Sequence, residues 1–146
     1  MRNLITPFSL LFFFTVTSCN LQTNQIHYGE DGCHFCSMTI VDQQHAAQLV
    51  TRKGKVYKFD AAECMIHSLS DFELEKIAQF LVTDFGNPTE LIDATSSTFI
   101  ISPEMPSPMR ANLSASKSKE SATAILTGKQ GKLYSWEEIQ QYLKTQ

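Results

Sequence analysis

The sequence predicts an α+β fold: two small ββαβ-like halves packed on one another, after a signal peptide and a short tether. Three observations predict it. β-prone runs flank a turn signal and lead into a helical run, that order returns more loosely after Gly86-Asn87-Pro88, and neither half is large enough to stand alone. A unit of about 60 residues buries too small a share of its surface to be independently stable. The halves are therefore expected to share a core.

The first segment is read as address rather than fold. Met1 to Thr6 carries one positive residue, Arg2, and a compact apolar run extends from Phe8 to Val16. That run is too short for a membrane-crossing helix, which needs about 20 apolar residues, and it suits the apolar region of a secretory signal peptide. It ends in Val16-Thr17-Ser18-Cys19, which resembles a bacterial lipobox, where cleavage precedes a cysteine that then receives acyl chains. Residues 1–18 are thus read as a lipoprotein signal peptide and 19–30 as a lipidated tether. The alternative is an ordinary signal peptide with a cysteine just beyond its cleavage point. Several acyl chains on Cys19 would hold the protein firmly to a lipid membrane on the periplasmic face, since one chain alone gives only marginal binding. Asn20 differs from the aspartate that retains lipoproteins in the inner membrane, so inner and outer membrane both stay open.

The first half, residues 31–86, begins with a loop. Ala46 to Thr51 and Lys55 to Phe59 are β-prone runs around the turn signal Arg52-Lys53-Gly54. Ala61 to about Leu69 reads as a helix with Asp60 at its N-cap. A helical turn over Glu73 to Ala78 and a strand over Gln79 to Thr83 complete this half. In the second half, residues 87–146, Leu91 to Asp93 and Thr98 to Ile101 read as strands, Lys117 to Leu126 as a helix and Lys132 to Tyr134 as a strand. A short amphipathic helix, Trp136 to Leu143, closes the chain, with Ser135 as its cap and Glu137 and Glu138 suited to the positive end of its dipole. Phe59, Phe80, Phe85, Phe99 and Trp136 are the expected core.

Charge excludes one class of partner. Of 12 basic and 15 acidic side chains only Arg2 lies in residues 1–18, so the formal charge of −3 becomes −4 without that segment. Nucleic acid needs clustered Lys and Arg, and the sequence has neither a basic run nor a Gly-rich phosphate loop. No nucleophile–base constellation stands out, so an enzyme is not expected.

The four cysteines are Cys19, Cys33, Cys36 and Cys64. With Cys19 acylated, three remain, and an odd number cannot all pair within the chain. A thiol left over in an oxidising compartment asks for a reason. Three readings compete over Cys33-His34-Phe35-Cys36-Ser37-Met38. A thiol–disulfide oxidoreductase would use Cys33 and Cys36 at the start of a helix, but the β-branched run Thr39-Ile40-Val41 follows instead. A structural zinc module for protein contact would take Cys33, Cys36, Cys64 and His67, a set with acceptable ligand spacing. A Cu(I) site would use Cys36 and Met38, because thiolate and thioether donors select that soft ion. In an extended stretch, side chains two apart point the same way, so this pair would face one ion. Met is more often core filling than ligand, and the pattern alone leaves the choice open. His34 is a further candidate ligand, as are Met105 and Met109 in the loop with Pro103, Pro106 and Pro108; His27 and His45 are expected to face solvent.

From Gly32 to Ile139 the sequence resembles the NosL family, copper-binding lipoproteins that assist maturation of nitrous-oxide reductase in denitrification. His34-Phe35-Cys36-Ser37-Met38 is similar to the family's His-aromatic-Cys-Gly-Met signature. Ala47-Gln48, Val56-Tyr57-Lys58-Phe59-Asp60 and Cys64-Met65 are similar to its first half, and Ile92-Asp93-Ala94 and Ser107-Pro108-Met109 to its second. Ser37 and Arg110 stand where glycines are usual, Cys33 is an extra thiol, and Asn112 to Ser118 lacks an expected aromatic. The resemblance implies a copper chaperone holding Cu(I) through Cys36 and Met38, with Met109 a candidate from the second half and Cys33, His34, Cys64 and Met65 as further candidates. It also implies a partner: nitrous-oxide reductase or its copper-loading membrane transporter.

Overall fold

The structure, a computed structural model, describes residues 24–146. The expected signal peptide and the expected lipidation site, Cys19, lie outside the described residues. In the first sheet β1 (Ala47–Thr51) pairs antiparallel with both β2 (Val56–Phe59) and β3 (Ile77–Thr83), and β3 pairs antiparallel with β4 (Leu91–Asp93). Helix α1 (Ala62–Ser68) and two short 3₁₀ turns, Leu69–Asp71 and Leu74–Lys76, connect β2 to β3. The second sheet sets β5 (Thr98–Ile101) between β6 (Leu113–Ser116) and β7 (Lys132–Tyr134). Helix α2 (Lys119–Leu126) precedes β7, and α3 (Trp136–Lys144) ends the chain. No helix among the described residues is long and apolar enough to cross a membrane.

The expected α+β fold of two packed halves is present, and the halves do share a core. Leu49, Phe59 and Met65 of the first sheet and α1 cluster with Phe99, Leu113, Trp136 and Ile139 of the second half. Trp136 bridges the halves directly, its ring 5.7 Å from that of Phe80 and 5.8 Å from that of Phe99. At the seam Asp84 forms a parallel bridge with Ala115, and the Phe85 amide donates to the Ala115 carbonyl at 2.8 Å.

Several local elements differ from expectation, each for a physical reason. Leu91–Asp93 belongs to the first sheet, because Gly86-Asn87-Pro88 is part of a hairpin loop rather than a break: the Asp84 amide donates to the Glu90 carbonyl and the Asn87 amide to the Asp84 carbonyl, both at 2.9 Å. The second strand of the second half is β6, Leu-Ser-Ala-Ser, whose small side chains are all buried. Its low β-propensity hid it, and α2 starts after it with Ser118 capping the Ser121 amide. Asp60 is not the cap of α1; Ala61 holds that position in an extended conformation without a side-chain bond.

Residues 24–30, expected within the tether, pack on the sheet instead. Ile26 is buried, the Gln48 side chain donates to the Asn24 carbonyl, and Lys58 Nζ donates to the Gln25 carbonyl at 2.7 Å. This cover explains why Gln48, on the outer face of β1, is fully buried. His45, expected at the surface, is buried as well. Its ring nitrogens meet Asp42 Oδ1 at 2.9 Å and Ser114 Oγ at 3.2 Å, which satisfies both and links β6 to the segment before β1. The order Asp42, His45, Ser114 resembles a hydrolytic triad, but the hydroxyl is buried within the sheet and acts as a tie between the halves.

Candidate metal centre

The segment from Asp31 to Ile40 folds into a narrow loop. Gly32 and Thr39 form an antiparallel bridge, the Cys33 amide donates to the Met38 carbonyl at 2.8 Å, and the Ser37 amide donates to the Cys33 carbonyl at 3.0 Å. His34, Phe35 and Cys36 are the turn at its tip. Ser37 has φ of 64°, the left-handed region that favours glycine, so serine here carries a strain the family's usual glycine avoids. The expected extended geometry of Cys36-Ser37-Met38 is therefore replaced by a turn, and alternation along a strand does not describe how the two sulfurs are set. The loop is fastened to β2 by the His34 amide, which donates to the Lys58 carbonyl at 2.8 Å.

The turn carries Cys33 and Cys36 to the N-terminal part of α1, where Cys64 waits. The three sulfurs lie within 4.8 Å of one another, the only such group of potential ligands among the described residues, and all three thiols are free. Cys33 and Cys64 are buried; Cys36 is half-buried and forms the open side. Sulfur donors at about 2.3 Å around one ion stand about 4 Å from each other, so the trio closes on a metal with little movement. The donor set is soft, which suits Cu(I) or zinc and disfavours hard ions.

The electrostatics follow from the crowding. A hydrogen bond from the Cys64 thiol, supported by the backbone amides of Cys36, Asp60 and Phe35, holds Cys33 well below the usual thiol range. Cys64, the donor in that pair and buried, is pushed up. Burial likewise raises Cys36. Nearby Asp60 is buried and its carboxyl is raised, first by burial and then by the Cys33 charge. Burial also raises Glu63, against the Ser107 hydroxyl that donates to it.

The other candidates are distributed as follows. Met38 lies on the same loop and is 46 % exposed; Met109 is 38 % exposed at the tip of the Pro-rich loop. Met65 is fully buried in the main core, and Met105 fills the second, smaller core beside Ile100 and Ala122. His34 lays its ring on Tyr57, with centroids 4.6 Å apart, and next to Phe59 and Phe72. His67 is exposed and stacks on Phe35 at 5.9 Å, so it is not brought into the trio as the zinc set requires. Nor do Cys33 and Cys36 stand at the start of a helix, as a redox pair would. Nothing in the sequence pairs Glu63 with Ser107; the one local signal is a carboxylate directly before Cys64 in the first turn of α1.

Comparison with known proteins agrees with this architecture. The family model described as NosL matches residues 25–143. The crystal structure of the copper chaperone NosL from Shewanella denitrificans has the same fold, with a TM-score of 0.69 at 22% identity over 81% of this chain and 95% of that one. Among curated proteins, none matches.

Proposed function

The chain belongs to the NosL family, and from that premise we propose that it is a copper carrier: it takes up one Cu(I) and passes it on by ligand exchange, without catalysing a reaction. The observation that carries this reading is the convergence of the Cys33, Cys36 and Cys64 sulfurs within 4.8 Å. Three thiolates satisfy a monovalent soft ion. The half-buried Cys36 leaves one side of the site approachable, and the partly exposed thioethers of Met38 and Met109 are the further donors assigned to it in this reading. An incoming thioether or imidazole then displaces one donor at a time. Delivery is to nitrous-oxide reductase or to the transporter that loads it, outside the cytoplasm, from a membrane anchor at acylated Cys19. These last assignments rest on family membership and on the sequence of the first segment.

The test is anaerobic titration of the reduced protein with Cu(I) against a competing chelator. One equivalent should bind, with only sulfur neighbours in the copper X-ray absorption spectrum. A reduced protein that leaves Cu(I) with the chelator overturns the reading. A protein purified with one zinc that cannot be removed without unfolding would support the structural alternative.

A further inference from the structure

We propose that Glu63 is a positioning residue that fixes the Met109 tip relative to the cysteine trio, a role that rests on reading the trio as a Cu(I) site. Met109 sits in a turn in which the Arg110 amide donates to the Ser107 carbonyl at 2.9 Å. Pro108 supplies the fixed φ that suits the first corner of such a turn. Arg110 and Asn112 both have left-handed backbones, with φ of 65° and 57°. Two such residues in three are costly without glycine, so the loop needs an outside restraint to keep its shape.

Glu63 supplies that restraint. The Ser107 hydroxyl donates to Glu63 Oε1, and the Leu113 amide donates to Ser107 Oγ at 3.3 Å. The Ser107 hydroxyl is the contact the carboxylate makes with the loop; its second oxygen, Oε2, is buried without a partner. The same side chain thus holds the loop two residues before Met109, while Met109 itself stays partly exposed. Glu63 is fully buried and is the chain neighbour of Cys64. One turn of α1 therefore carries both a sulfur of the trio and the clamp on the loop that bears a thioether. A buried carboxylate is expensive unless it is paired, so Glu63 and Ser107 are expected to stay engaged, and the loop with them.

The test uses Ser107→Ala, which removes the hydroxyl but none of the sulfur donors, with Ser107→Thr as the conservative variant. In metal-free protein carrying ¹³C-labelled methionine methyls, Ser107→Ala should shift or broaden the Met109 signal and leave the Met38 signal in place; Ser107→Thr should restore it. In Cu(I)-loaded protein, Ser107→Ala should speed loss of copper to a chelator by about threefold or more, and should add nothing in a Met109→Ile background, as coupled residues do. An unchanged Met109 signal in Ser107→Ala overturns the proposal, as does faster copper loss by the same factor in both backgrounds. If the unaltered protein takes up no Cu(I), the carrier reading fails by itself, and the methyl signals still decide whether Glu63 and Ser107 position Met109.

Discussion

Cys33 and Cys64 bring their sulfurs within 4.8 Å of one another, joining the metal-site loop to the first helix across two buried side chains. The closeness of the two holds the Cys33 thiol below the usual range and pushes that of Cys64 up. It also makes Cys64 a candidate donor as well as a packing residue, which changes what its replacement should do.

Cys64→Ser should weaken Cu(I) binding and lower the number of sulfur neighbours at copper by one, with the near-ultraviolet spectrum of the folded protein retained. The hydroxyl still donates to Cys33, so the stability loss should be about 1 kcal/mol. Unfolding of the variant together with loss of a tightly held zinc would point to the structural zinc module instead.

Met38→Ile should leave the fold intact, because the side chain is 46 % exposed. Loss of a thioether contact at the open side should raise the Cu(I) dissociation constant by roughly tenfold, about 1.4 kcal/mol. An affinity equal to that of the unaltered protein, measured by chelator competition, removes Met38 from the site.

Ser37→Gly should stabilise the metal-free protein by up to about 1 kcal/mol, since glycine adopts φ of 64° without the Cβ penalty. That corresponds to a rise in Tm of a few degrees, read by calorimetry. A lower Tm would mean that the serine side chain contributes more than its backbone costs.

Acid should loosen the segment that covers the outer face of the first sheet. Burial opposes ionisation of Asp31, but Lys58, 2.5 Å away, outweighs it and holds the carboxyl below its ordinary value of 3.8. A depressed carboxylate adds stability that is complete above its unfolded pKa and is lost as pH falls through the folded one. Asp31→Asn should therefore be less stable at neutral pH and show a flatter decline below pH about 4. Chemical denaturation across that range measures it, and parallel curves for the two proteins would sink the assignment.

Trp136→Ala should cost about 3–5 kcal/mol. The lost ring touches Phe80 of one sheet and Phe99 of the other, so both halves should melt in one transition at the lower temperature. Two separated transitions would show halves that fold on their own.

What the sequence revealed is what local rules govern. Ser135 caps α3 with Glu138 in a reciprocal pair, as its spacing implied. Ala47–Thr51 and Val56–Phe59 pair around the expected turn. Cys36 and Met38 stand out as candidate ligands from their motif alone. Their geometry was not, because the left-handed backbone at Ser37 depends on the ladder closing beneath it. Contacts between distant residues were equally hidden. His45 is buried because of Ser114, 69 positions away, and Glu63 finds Ser107 over 44 positions. β6 lacked the bulky residues by which strands are recognised, since its place between α1 and β5 needs small ones.

The packing of Asn24 and Gln25 against Gln48 and Lys58 has a spatial consequence for the proposed anchored form. Asn24 stands five residues after the proposed acylation site, and five residues span at most about 18 Å. In the anchored form the domain would then lie close to the bilayer surface. A recipient of its cargo would have to come to that surface, or already be embedded in it.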